Sequence, residues 1–481
     1  MLVIQRLTGL LLMLYSLTML PAMVFSLIID DGATDAFERS AALCMACGVL
    51  IWLPVRGKRR ELKVSDGFLL TTLFWVVLGL FGGLPLHLSD RPGLDMTDAI
   101  FESVSGLTTT GATAMTGLDT LPQSILLWRS QLQWMGGMGV IVLAVAILPL
   151  LGVGGMQLVR AETPGPMKNT KITARVQDTA RALWMIYLML TLACGLAYWL
   201  AGMSVFDAIC HAFTTLSTGG YSTHDASMGY FDSKTIHLIA ALFMALGGLS
   251  FAMHFVAWQR ADLMTYWRDR ESQVFLGLVA AVTLLVTTAL LLGGTYVEIG
   301  DSFVNALFQV ISIGTSTGYA TADFTTWPSF IPMALLLGSF AGGCAGSTAG
   351  GIKIIRVILL AKQGLREIQR IIHPHAVVSI KFGGRRLDAR VVNSVWSFIT
   401  VYVALFAIMF LGLLACGLDE VTAVSAVATS MNNLGPGLGE IASNVTTLND
   451  PAKWIMMAAM LLGRLELFTV LVIFTPAFWR R

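Results

Sequence analysis

Charge is scarce in this sequence: 12% of its 481 residues are Asp, Glu, Lys or Arg, about half the roughly 25% of an ordinary soluble domain. A disordered chain needs high charge and few apolar residues, and a nucleic-acid-binding domain needs a basic footprint. Neither fits a chain that is 56% hydrophobic with a net charge of +2. Cysteine is sparse too. Cys44, Cys47, Cys194, Cys210, Cys344 and Cys416 lie mainly in apolar or small-residue segments. The one C-x-x-C, Cys44 to Cys47, has no βαβ context and no second ligand pair, so both read as packing residues. The seven histidines show no H-E-x-x-H and no clustered ligand spacing, which argues against zinc catalysis. An intramembrane enzyme would need a nucleophile and base, or metal ligands, facing one cavity. The apolar runs hold no such set, and the chain is expected not to be an enzyme.

What the sequence has in abundance is long apolar runs, near residues 5–28, 41–55, 68–88, 125–151, 183–203, 236–258, 274–294, 330–360, 392–416 and 454–478. Crossing about 30 Å of hydrocarbon takes about twenty apolar residues in a helix, so these read as ten spans of a polytopic membrane protein. The first run follows Arg6 but is too long for a signal peptide and lacks a small-x-small cleavage site; it reads as a retained helix. Assigning the connections alternately to two sides puts RGKRRELK (56–63), the loop 160–181 and the segments 260–271 and 362–390 on one side, with both termini. Of the 31 Lys and Arg residues, only Arg39, Arg91, Arg129, Lys234 and Lys453 fall on the other side, with Arg464 inside a span. The positive-inside rule makes the basic side cytoplasmic. The opposite connections carry Asp90, Asp95, Asp119, Asp225, Asp232, Glu298 and Asp323 among others. They read either as solubilising charge or as a vestibule that attracts cations.

After the third, fifth, seventh and ninth runs comes a segment too short to span. DAIFESVSGLTTTG (98–111), DAICHAFTTLSTGG (207–220), NALFQVISIGTSTG (305–318) and TAVSAVATSMNNLG (422–435) align without gaps. The second column is always alanine, and the eighth is Ser105, Thr214, Ser312 or Thr429. The last is Gly111, Gly220, Gly318 or Gly435, recurring 109, 98 and 117 residues apart. Such a period suits a duplicated unit of span, short helix, loop and span. Twelve helical residues reach about 18 Å, so each segment can enter a membrane but not cross it. Irregular backbone beyond such a half-helix is tolerated only where it is buried in protein or lines water. Four of them around an axis make a pore, and their negative C-terminal ends favour a cation. The loop carbonyls can replace a cation's hydration shell, and glycine permits the strained conformations that aim them inward. The candidate ligands are Thr110 and Gly111, Gly219 and Gly220, Thr317 and Gly318, and Leu434 and Gly435.

The stretches TTTGAT, LSTGGYST, TSTGYATADF and MNNLGPGLGE carry a resemblance to the TrkH family, the membrane subunits of Trk-type bacterial potassium-uptake systems, in the superfamily that also holds Ktr and fungal Trk transporters. The resemblance covers the whole chain, and its two leading runs are similar to that family's extra N-terminal pair. It implies potassium uptake through one central pathway per subunit, with K+ as the transported ion and no cofactor in this chain. It places Gly111, Gly220, Gly318 and Gly435 in the filter, and implies a homodimer and a peripheral cytoplasmic TrkA-like subunit that binds NAD(H) and ATP. Against a potassium-channel TVGYG, each segment offers essentially one glycine, and Pro436 stands where Tyr221 and Tyr319 do in theirs. Fewer ordered sites and weaker rejection of sodium are expected.

The eighth run is interrupted by GSFAGGCAGSTAGGIK (338–353), whose glycines, at up to about 1 kcal/mol each in a helix, predict a break below the filter. GSTAGGIK fails the phosphate-loop spacing because Ile352 separates Gly351 from Lys353. Close helix packing is one reading of Gly342, Gly343, Gly346 and Gly350; the resemblance implies a mobile intramembrane gating loop. Arg464 lies about 15 Å into the last run, where an isolated charge costs at least about 2.5 kcal/mol. It needs water, loop carbonyls or Glu466 as a partner, although residues two apart on a helix do not face each other. The resemblance implies that it lines the pathway, and it is expected to set an electrostatic barrier under the filter.

The expected fold is an all-α polytopic membrane protein, with two N-terminal helices (1–66) and four pseudo-repeats of helix, half-helix with filter loop, and helix around a central pore. The repeats run over 67–158, 159–262, 263–362 with the gating loop, and 363–481. The expected function is channel-like potassium uptake in the bacterial inner membrane; the alternative is a symporter coupling K+ to Na+ or H+. With no cytoplasmic domain in these residues, regulation is expected from a partner, and the basic loops 160–181 and 362–390 read as docking surfaces or as contacts with membrane lipid. No nucleic-acid partner is expected.

Overall fold

Apolar side chains on nearly every face of a helix are stable only in lipid or against other helices, and among the described residues six helices are long and apolar enough to cross a membrane. They are Leu2–Ile29, Thr34–Val55, Asp66–Leu88, Ala180–Leu200, Arg270–Leu292 and Ala389–Ala415. The computed structural model describes residues 2–57, 64–142, 172–328, 330–376, 378–383 and 385–480. Most of RGKRRELK and residues 160–171 of the basic loop lie outside them. Among the described residues the sheet is one short antiparallel pair, Lys381–Phe382 with Arg385–Arg386. The chain is an all-α polytopic membrane protein.

Two runs that read as single spans are bent. Lys234–Gly248 and Phe251–Arg260 meet at 98°, and Asp450–Arg464 and Phe468–Phe474 at 106°. The first bend follows the Gly247-Gly248 pair, where Leu249 turns extended; the second follows Arg464, with Glu466 left-handed at φ 54°. The run 330–360 breaks where its glycines predict, into Phe330–Gly338 and Ile354–Ile372.

The four short segments form the half-helices Met96–Leu107, Val205–Leu216, Ile299–Gly314 and Glu420–Asn432. The third starts six residues before the aligned segment. Asp95, Ser204 and Asp419 cap three of them by accepting backbone amides, and Asp98, Asp207, Asp301 and Glu420 lie in their first turns, where negative charge opposes the positive helix end. Each start thus carries an acidic residue in its first turn, and three of the four carry a side-chain cap as well.

The leading helices pack on the first of these units. Trp128 lies against Tyr15 and Phe37 and donates its indole N–H to the Gly82 carbonyl at 2.9 Å. The two leading helices touch at Gly9 and Gly48, where a Cβ on either would come within 2.9 Å of the other's carbonyl oxygen. Overpacking of this kind costs about 1–3 kcal/mol. Gly48→Leu is therefore expected to lower the unfolding temperature of the purified protein in detergent, whereas Gly57→Leu, where a Cβ meets nothing, leaves it unchanged.

Candidate functional site

Each half-helix ends in the same backbone device. The eighth-column carbonyl accepts the amide five residues on: Thr110 N to Ser105 O at 2.8 Å, Gly219 N to Thr214 O at 2.9 Å, Thr317 N to Ser312 O at 2.7 Å and Leu434 N to Thr429 O at 2.8 Å. This closure requires a left-handed residue just before the donor. That residue is Thr109, Thr218, Ser316 or Asn433, with φ of 54°, 52°, 56° and 52°. A left-handed non-glycine costs about 1–2 kcal/mol, and a β-branched threonine there is strained. Such strain persists only where the surroundings enforce it, and it gathers at functional sites.

Two residues on, Gly111, Gly220 and Gly318 are left-handed again, at φ 83°, 78° and 86°, whereas Gly435 is not. Pro436 explains the difference, because its ring pushes the preceding residue toward extended backbone. A Cβ on Gly111 would collide with the Gly219 carbonyl, and one on Gly220 with the Thr317 carbonyl. One on Gly318 would lie 2.6 Å from Pro436 Cδ, and one on Gly435 2.7 Å from the Gly111 carbonyl oxygen. The four loops therefore close a ring in chain order, bringing together all four pairs named from the sequence. The carbonyls of Thr110, Gly111, Thr317 and Gly318 accept no hydrogen bond from any described residue. Gly219 differs: its carbonyl accepts Gln133 Nε2 at 2.7 Å, while Gln133 Oε1 accepts the Tyr221 amide at 3.0 Å.

Neighbouring loops are tied by side chains. Tyr221 donates its hydroxyl to the Glu102 carbonyl at 2.8 Å, and Tyr319 to the His211 carbonyl at 3.2 Å, with the Thr214 hydroxyl also in reach. Behind the first loop lies a fully buried ion pair, Arg129 to Glu102 at 2.7 Å. Arg129 also donates to the Ser222 carbonyl and to Thr113 Oγ1, and lies 4.2 Å over the Tyr221 ring. Glu102 accepts the Ala114 amide at 2.8 Å. From the sequence alone Arg129 reads only as an outer-side cation. The signal was a lone glutamate inside a half-helix, with an arginine inside the run that follows.

Beyond the ring lies a cavity of about 550 Å3, bordered at its base by Gly111, Gly220, Gly318 and Pro436 and lined by Asp225 and Asp323. At its rim His224 Nδ1 is 2.5 Å from Asp119 Oδ1, and the Leu118 amide donates to Asp225 Oδ2 at 3.1 Å. The first and second loops are thereby clamped together. The His224 hydrogen bond holds the Asp119 carboxyl below its ordinary range.

On the other face lies the glycine-rich loop. The Gly350 amide donates to Ser316 Oγ at 2.6 Å, the Gly351 amide to the Asn432 carbonyl at 3.1 Å, and Thr348 Oγ1 to the Leu216 carbonyl at 3.0 Å. Arg464, 5% exposed, donates to the Thr348 carbonyl at 2.8 Å and the Gly136 carbonyl at 3.3 Å. Glu466 pairs instead with Arg356 at 2.9 Å. Gly350 and Arg464 therefore sit together beside a small cavity under the ring, shared with Lys353 and Asn433. Gly342 lies against Gly350 and Gly351, while Gly343 and Gly346 face Gly248 and Ser250 at the first bend.

The family model described as a cation transport protein, TrkH, matches residues 33–481. The chain is 52% identical over 479 residues to a Trk system potassium uptake protein TrkH of Vibrio parahaemolyticus, covering 99% of each. It is 50% identical to its counterpart in Escherichia coli K12, again covering 99% of each. To the Trk system potassium uptake protein TrkG of E. coli K12 it is 41% identical, covering 99% of this chain and 98% of the relative. A crystal structure of the potassium transporter TrkH from V. parahaemolyticus matches with a TM-score of 0.92 at 50% identity, covering 99% of both chains.

Removing one partner of a buried ion pair costs about 3–5 kcal/mol, whereas an apolar replacement of both is tolerated better. Glu102→Gln is expected to lower the unfolding temperature sharply, and Glu102→Gln with Arg129→Met to recover part of the loss. Asp119, whose folded pKa is depressed, contributes stability that is present above the unfolded carboxylate value of about 3.9 and lost as pH falls through the folded value. Protection of the amides around 117–119 and 222–226, measured against their intrinsic exchange rates, should therefore fall on acidification below about pH 4, with that step missing in Asp119→Asn.

Proposed function

The chain belongs to the TrkH family of cation transport proteins, and from that membership we propose that it takes up potassium across the bacterial inner membrane through the ring at Gly111, Gly220, Gly318 and Gly435. The observation that supports this best is the closure of four loops on one another, each at the C-terminal end of a half-helix, at the base of an open cavity. Cations gather in the vestibule beside Asp225 and Asp323. A dehydrated ion is held by carbonyls of Thr110, Gly111, Gly220, Thr317, Gly318, Leu434 and Gly435, with the helix ends favouring positive charge. Gly219, its carbonyl already bonded to Gln133, is the weakest of the eight ligands. No chemical step is involved.

The gate in this reading is the loop 338–353, with Gly350 beneath the ring, Gly342, Gly343 and Gly346 as its flexible points, and Arg464 as the barrier that repels a cation while the loop is closed. The vestibule faces outward, and the basic helix Ile354–Ile372 and both termini face the cytoplasm. The fourfold repeat behind a two-helix unit, the homodimer and a TrkA-like NAD- and ATP-binding partner on the basic face complete the proposal.

Flux into liposomes holding the purified protein tests it, comparing K+, Rb+ and Na+. The expected result is flux under an ion gradient alone, with K+ and Rb+ favoured over Na+. Gly318→Ser, whose Cβ would press on Pro436, should lower that preference about tenfold, equivalent to ~1.4 kcal/mol. Flux that appears only with a proton or sodium gradient would establish the symporter instead. A Gly318→Ser protein with unchanged preference would remove the filter assignment.

A further inference from the structure

The two asparagines of the fourth loop reach in opposite directions. Asn432 holds the glycine-rich loop: its carbonyl accepts the Gly351 amide at 3.1 Å, and its Nδ2 donates to Ser339 Oγ at 2.9 Å. Its Oδ1 accepts the Tyr402 hydroxyl at 2.8 Å, which fixes the orientation of the amide. Asn433 holds the ring: its Nδ2 donates to Thr110 Oγ1 of the first loop at 3.1 Å and to the Met460 carbonyl at 3.0 Å. Both are buried, at 0% and 1% exposure. In the other three segments the same two columns hold Thr108 and Thr109, Ser217 and Thr218, and Thr315 and Ser316. Those hydroxyls mostly bond back into their own helix, as Thr108 does to the Val104 carbonyl and Thr315 to the Ile311 carbonyl. A carboxamide is longer and carries both donor and acceptor, so the fourth loop alone has side chains at these columns that span from the loop below to the first loop of the ring. The third loop adds one bond of the same kind, from the Gly350 amide to Ser316 Oγ.

A ring whose carbonyls at Thr110, Gly111, Thr317 and Gly318 accept no hydrogen bond from any described residue keeps its diameter only as well as its surroundings do. The closed glycine-rich loop supplies two backbone amides to that surround, one to a left-handed ring residue and one to the residue before another. Withdrawing the loop removes both, and with them the Ser339 contact of Asn432. We propose that Asn432 and Asn433 are positioning residues that tie the loop's position to the ring's cation preference: the closed loop braces the ring for K+, and the withdrawn loop leaves it less selective. Binding linkage is reciprocal, so a cation that fits the braced ring also holds the loop closed. This rests on the reading of the ring as a potassium filter.

The test is amide exchange across 338–353 in the full-length protein in nanodiscs, in K+ and in N-methylglucamine at equal ionic strength. Thermal unfolding in the same ions reports K+ binding independently. Wild type should exchange about tenfold more slowly in K+, within the usual range of coupling between sites. Ser339→Ala and Tyr402→Phe change no ring residue and remove one Asn432 bond each; both should shrink that difference to about threefold or less while K+ still raises the unfolding temperature. Asn432→Ala should abolish the difference, and if it does not fold, the two milder variants carry the test. The coupling is overturned if wild-type exchange is the same in both ions although K+ stabilises the protein, or if both milder variants keep the full difference. If K+ stabilises nothing, the filter reading itself has failed.

Discussion

Backbone that is neither helix nor strand can sit at membrane depth only if protein or enclosed water satisfies its polar groups. The centre of this molecule is built around that constraint. Ser105, Thr108, Thr110, Thr214, Thr218, Ser312, Thr317, Thr429 and Asn432 are all 0–1% exposed, while Leu192, Leu284 and Leu292 of the long helices stand 65–85% exposed. The usual arrangement of a soluble protein is thereby reversed: hydroxyls surround the axis and leucines face outward, where lipid replaces water. The half-helices, their left-handed ends and the tyrosine and asparagine ties are all ways of holding four irregular loops in that polar centre.

Much of this was legible in the sequence because the same short pattern stands in it four times. The glycine column marks the residues that meet their neighbours too closely for a Cβ, and the eighth column marks the carbonyl that closes each half-helix. The twelfth column was not legible. Left-handed backbone is normally announced by glycine or asparagine, but here Thr109, Thr218 and Ser316 adopt it alongside Asn433, since tertiary contacts outweigh local preference. The Glu102 and Arg129 pair was also hidden. The two lie 27 residues apart on different helices, and each alone reads as an ordinary charge near an aqueous boundary. The bend after Arg464 has no proline or glycine pair to announce it, unlike the one after Gly247 and Gly248.

The ring is closed by unequal means. Tyr221 and Tyr319 each tie their loop to the preceding half-helix by a hydroxyl. Pro436 has no donor, and it presses its ring on Gly318 while Asn433 makes the tie to Thr110. Proline also keeps Gly435 out of the left-handed region that the other three glycines occupy. The fourth loop therefore cannot present its last carbonyl as the others do. The ring thus carries three glycine turns of one backbone kind and one exception.

The glycine-rich loop is satisfied by what the neighbouring helices leave over. The last four carbonyls of any helix lack intrahelical partners, and four of the loop's donor bonds go to such groups. The Cys344 amide donates to Gly248 O at 2.8 Å, the Thr348 amide to Gly247 O at 3.3 Å, Thr348 Oγ1 to Leu216 O and the Gly351 amide to Asn432 O. The bend at 248–250 therefore supplies acceptors that a straight helix would have kept for itself, and Gly346 O in turn accepts the Phe251 amide at 3.1 Å. Any displacement of the loop would leave these carbonyls without donors, and a buried acceptor left unpaired is costly. Two of them, Leu216 O and Asn432 O, lie at the negative ends of half-helices directly under the ring, so the loop's N–H and O–H donors are held where the helix ends favour positive charge.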